Sequence, residues 1–149
     1  MSSSRTLITG AMVAGALVSA AALPAQAEDR RAPVRSAVVL GKIQYDSPGR
    51  DNGSNRSLNA EWVDVTNTGR QAVNLRGWTL SDSDGNRYTF DLRLPGRSTV
   101  RVHTGTGRDT RSDVYQDSRR YIWSNVSDTA TLRNDRDRAI DAKSWGRRR

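Results

Sequence analysis

Turn signals interrupt this sequence at short intervals, and the apolar residues between them alternate with polar ones rather than recurring at helical spacing. In Glu61 to Thr66, Val63 and Val65 fall on one side of a strand, with Trp62 and Asp64 on the other. Asn67-Thr68-Gly69 turns the chain, and Val73 and Leu75 begin another strand. Gly77 breaks that strand before Trp78 and Leu80 resume; a glycine there marks a bulge or a close backbone approach. Asp84-Gly85-Asn86 is a hairpin turn ahead of Tyr88 and Phe90, and Pro95-Gly96 leads into Val100 and Val102. Val38 to Tyr45 reads as a first strand. Tyr121 to Trp123, Ala130 to Leu132 and Arg138 to Ala142 read as the last ones. Asp46 to Asn55 and Gly105 to Ser112 are polar loops. Between seven and nine short strands in about a hundred residues predict an all-β chain folded as an antiparallel β-sandwich.

The 149 residues include no cysteine, so no disulfide and no thiolate site is available. The opening "MSSSRTLITGAMVAGALVSAAALPAQAED" has one basic residue, Arg5, then an apolar, small-residue stretch from Leu7 to Leu23. Pro24 ends that stretch, and Ala25-Gln26-Ala27 supplies a signal-peptidase pattern. As a membrane span the stretch is marginal, and no basic cluster follows it at once. The expected organisation is a signal peptide over 1–27, a disordered leader over 28–36, a domain over 37–145 and a basic tail over 146–149. The mature chain then begins at Glu28, is secreted, has no membrane insertion after removal of the signal, and relies on its core without disulfides.

The formal net charge is +8, almost all of it arginine, and loss of Arg5 leaves +7. From Arg133 to Arg149 seven basic residues face three aspartates, a surplus of four, so the rest of the domain reads as nearly balanced.

Several motifs, "YDSPG", "LNAEWVDVTNTGRQAVNLRGWTLSD", "YTF", "LPG", "VHTGTG" and "IWSNVSDTATLRND", resemble the lamin-tail domain family in order, over about Val38 to Trp145. The chain is most similar to small secreted bacterial members. The resemblance implies an immunoglobulin-like sandwich acting as an interaction surface or accessory module, and names no ligand. Unlike nuclear lamins, the chain has neither coiled-coil heptads nor a terminal cysteine. "DAKSWGRRR" also lacks the cysteines that some bacterial relatives carry near the end.

Trp62, Trp78 and Trp123 are candidates for an aromatic platform, but their places within alternating strands predict core. Asp82, Asp84 and Asn86 in "SDSDGN" resemble the start of a calcium loop. The glycine at its sixth position and the glutamate at its twelfth are missing, so a hairpin turn is expected and no metal. His103 is the single histidine; no nucleophile-elbow or phosphate-loop motif accompanies it, and neither catalysis nor a cofactor is expected. The remaining candidate is an anion site of Arg119, Arg120, Trp145, Arg147, Arg148 and Arg149, because guanidinium groups bind phosphate and stack on flat rings. The sequence reading is a non-catalytic extracellular binding or structural module with an unknown protein or anionic polymer as partner. Its alternatives are a protein binding extracellular DNA or acidic wall polymer, and a hydrolase using His103.

Overall fold

The computed structural model describes residues 36–146. The expected signal peptide, all of the leader but Ser36, and Arg147 to Arg149 lie outside the described residues. The chain runs β1 (Val38–Gln44), α1 (Asn55–Asn59), β2 (Trp62–Asn67), β3 (Val73–Asn74), β4 (Thr79–Ser81), β5 (Arg87–Thr89), β6 (Arg93–Leu94), β7 (Thr99–His103), β8 (Asp113–Tyr115), β9 (Asp128–Arg133) and β10 (Ala139–Trp145). One sheet has the order β1-β2-β7-β8, a second β10-β9-β4-β5, and β3 and β6 form a two-stranded ribbon. The architecture is the expected all-β, immunoglobulin-like sandwich.

Alternation builds the core. Val63 and Val65 of β2 pair with Val102 and Val100 of β7, and all four are at most 2% exposed. Leu80 of β4 faces Leu132 of β9, and Phe90, Leu75 and Leu94 close the interior from the ribbon side. Trp78 and Trp123 are buried among them. Trp62 is not. It shares the outer side of β2 with Asp64, so the period of two overrides the bulk of its ring, and the expectation that it packs inward is corrected.

Three local differences from the sequence reading have physical causes. Tyr121 to Trp123 is not a strand, because the Ile122 and Trp123 N–H groups donate to the Glu61 side chain instead of a neighbouring strand. The polar stretch after Pro48 ends in the short helix α1, whose Ser54 cap accepts from the Ser57 N–H and whose Leu58 is buried. Five residues are too few to show a helical period. The short strand β8 pairs parallel to β7, a departure from a wholly antiparallel sheet. Its outer edge is closed by its own loop: Thr110 Oγ1 accepts from the Asp113 N–H and Asp109 Oδ1 from the Tyr115 N–H.

The two ends of the sandwich differ. At one, the Thr68 N–H bonds the Ala37 carbonyl, so the turn after β2 lies beside the start of β1. At the other, Tyr45 just past β1 stacks on Trp145 at the end of β10, with ring centroids 4.8 Å apart. Between these points β1 and β10 run side by side. The Leu40 N–H donates to Asp141 Oδ2 (2.8 Å) and Lys143 Nζ to the Gly41 carbonyl (2.7 Å). The first end is the Asn67 end and the second the Trp145 end.

Candidate functional site

Most of the conspicuous polar side chains gather at the Trp145 end, where long loops leave the sheets. Glu61, directly before β2, is fully buried. Its Oε1 accepts three hydrogen bonds, from Thr104 Oγ1 (2.6 Å), the Ile122 N–H (2.8 Å) and the Trp123 N–H (3.1 Å). Oε2 is buried without a partner. Burial pushes the carboxyl above its ordinary value, against the pull of those three donors. The group therefore staples β2, the loop after β7 and the 121–123 segment together.

His103 closes the same region. Nδ1 lies 2.9 Å from the Asn59 carbonyl and Nε2 lies 3.0 Å from Asp113 Oδ1. A carbonyl only accepts, so Nδ1 carries a proton. The bond to His103, and next the one from Ser112 Oγ (2.6 Å), hold the Asp113 carboxyl below the usual carboxylate range. The ring also stacks on Tyr115 at 4.9 Å. Both nitrogens are engaged, and the Ser112 hydroxyl points to the aspartate rather than to the imidazole. A general base needs a free nitrogen facing the nucleophile, and this arrangement leaves none.

Asp82 of the "SDSDGN" hairpin is engaged in the same way, while Asp84 is exposed. Asp82 Oδ1 accepts from the Asp84 and Asn86 N–H groups, and Oδ2 from Asn86 Nδ2. Asp128 receives the Ser83, Thr129 and Ser124 N–H groups. Among the described residues no three His, Asp or Glu side chains converge as metal ligands. No described helix is long and apolar enough to cross a membrane.

Of the anion-site candidates, Arg119 and Arg120 are exposed in the turn after β8. Arg120 lines a shallow recess with Asp84, Asn86 and Tyr121. Trp145 lines a different groove with Ser83, Asp128 and Ser144. The two recesses share no residue, and each takes part of its lining from the 82–86 hairpin. Trp145 is already engaged: Tyr45 covers one face, and Nε1 donates to the Ser124 carbonyl (2.7 Å). Arg147, Arg148 and Arg149 lie outside the described residues.

Sequence reasoning missed a ladder on the outer face of the first sheet. The Arg101 guanidinium lies 3.3 Å from the Trp62 ring centroid and donates twice to Asp64, from Nε at 2.8 Å and Nη2 at 3.1 Å. The outward period of Trp62 and Asp64 was readable; their pairing with Arg101 required the β2–β7 register.

Fold and loops together define an immunoglobulin-like β-sandwich module in which buried Glu61, Asp82 and Asp128 hold loops. The sequence model described as Lamin Tail Domain matches residues 31–147, and the chain belongs to that family, which is non-enzymatic. Comparison with curated proteins finds no match.

Proposed function

We propose that this chain is a secreted, non-catalytic binding or structural module working outside the cell. The observation that carries the non-catalytic part is His103, whose two ring nitrogens are both taken up by Asn59 and Asp113. Export is supported by the apolar stretch and the Ala25-Gln26-Ala27 pattern. The test has two readouts. Protein recovered from culture medium should begin at Glu28, and recovery of a chain that retains Leu7 to Leu23 overturns export. Screening the mature chain against ester, phosphodiester and glycoside substrates should find no turnover; turnover abolished by His103→Ala overturns the non-catalytic reading.

A second reading, binding of an anionic polymer, is favoured by a formal charge of +8 composed almost wholly of arginine. Such affinity falls steeply with salt, because each phosphate neutralised releases counterions.

A further inference from the structure

The Asn67 end gathers arginines from four turns that the fold fuses into one surface. Arg70 lies in the turn after β2. The Arg97 N–H bonds the Gly69 carbonyl, and a Cβ on Gly96 would stand 2.0 Å from the Arg70 carbonyl oxygen, so these two turns touch. Asn67 Nδ2 binds them together, donating to the Gln71, Leu94 and Pro95 carbonyls. Arg93 opposes Asn74 in the β3–β6 ribbon. Arg76 follows, and the adjoining Gly77 lies against Asp135 in the hairpin that carries Arg133, Arg136 and Arg138.

Across these turns seven arginines face only Asp91, Asp135 and Asp137. Two of those acids are taken, Asp91 by Arg76 at 2.7 Å and Asp137 by Arg133 at 3.9 Å. Arg70, Arg93, Arg97, Arg136 and Arg138 are exposed, with no salt bridge among the described residues and only Asp135 left opposite them. The loops of the Trp145 end are different. There Arg50, Arg56, Arg108, Arg119 and Arg120 are interspersed with exposed Asp46, Asp51, Asp84, Asp109 and Asp117. Arg97 holds φ 58, a conformation that favours glycine, as does Asp137 of the same surface at φ 58.

We propose that the arginine surface of the Asn67 end binds the phosphate backbone of duplex DNA; this rests on the anion-binding reading above and gives it a site. Guanidinium groups match phosphate oxygens in a two-pronged fork. These cations stand on hydrogen-bonded turns and on β6, so their backbone positions are fixed, which suits a rigid partner with charge at regular intervals. A flexible polymer would lose conformational freedom to match it. None of the four turns presents an aromatic ring, which single-strand binders use to stack bases. Contact with phosphates alone makes the binding independent of base sequence.

The experiment measures binding of the mature chain to a short duplex across a salt series. If all five arginines meet phosphates, the slope of log affinity against log salt is about −4.5. Replacing Arg93, Arg97, Arg136 and Arg138 by glutamine should make it shallower by up to about 3.6, while a chain ending at Gly146 keeps the slope. An unchanged slope in the fourfold variant overturns the proposal. Should that variant fail to fold, Arg136→Gln with Arg138→Gln in the exposed hairpin should still shift the slope by up to about 1.8. If the intact chain binds and only the tail truncation weakens it, this site falls while the anion-binding reading stands. If nothing binds at low salt, both fall. A single strand of equal length, or polyglutamate, that binds more tightly than the duplex also overturns the assignment. Arg97→Gly should raise the Tm and weaken DNA binding; a gain in Tm with full affinity removes Arg97 from the site.

Discussion

Glu61 Oε1 accepts the backbone N–H of Trp123 at 3.1 Å, across sixty-two positions of sequence. The same oxygen holds Ile122 and Thr104, so one side chain fixes the 121–123 segment against the loop after β7. Glu61→Ala orphans three donors, two of them buried and that of Ile122 half-buried, and should lower stability by about 3 kcal/mol. Glu61→Gln keeps an acceptor and should cost less. Urea denaturation of both variants checks the order; equal and small losses would show the staple to be dispensable.

Glu61 also sets a pH dependence. Burial raises its folded-state value above the ordinary 4.5, so the native state holds its proton longer than the unfolded chain does. Its contribution is therefore fully present below the ordinary value and is lost as pH rises through the folded one. Glu61→Gln should flatten stability against pH in that window. Denaturant midpoints taken at intervals above pH 4.5 test this.

Asp113 acts with the opposite sign. The His103 and Ser112 bonds lower its folded-state value, so its stabilisation is present above the ordinary carboxylate range and is lost as pH falls through the folded value. Asp113→Asn should remove that acid-side loss. A variant with the parent's acid denaturation curve would show that the His103–Asp113 bond contributes nothing to it.

The tryptophans separate by face. Trp78→Ala empties core volume and should cost about 3–5 kcal/mol. Trp62→Ala removes an outer ring beneath Arg101 and should cost nearer about 1 kcal/mol through the lost cation–π contact. Comparable losses from the two would contradict the inward and outward assignment.

Calcium should leave the Tm unchanged, because the Asp82 oxygens are already occupied by the Asp84 and Asn86 N–H groups and Asn86 Nδ2. A rise that saturates with calcium and is reversed by a chelator would show that the hairpin opens to a metal.

Period and turn chemistry are local properties, and so the alternation of Val63 with Trp62, the turns at Asn67-Thr68-Gly69 and Asp84-Gly85-Asn86, and the strands around them were legible from residues alone. The 121–123 segment was not, because its backbone donors are satisfied by a side chain distant in sequence rather than by a strand pattern of its own. The five residues of α1 were too few to carry a period. The outer ladder was half legible: alternation put Trp62 beside Asp64, and only strand register brought Arg101 across to them.

Charge shows the division most plainly. Sequence alone determined that the chain is arginine-rich, lacks cysteine and folds as a β-sandwich, because composition and alternation act within a few residues. It also placed the largest surplus in the last seventeen positions. Only the tertiary structure decided where that charge goes. β10 spans seven residues, roughly 23 Å at strand rise, and carries the chain from the Asn67 end to the Trp145 end. Arg133, Arg136 and Arg138 are thereby left with Arg70, Arg93 and Arg97 at the opposite end from Trp145. A strand separates neighbours in sequence by the height of the sandwich, while turns from distant segments meet at its ends. For that reason a charge cluster counted along the chain is not the cluster that the folded surface presents.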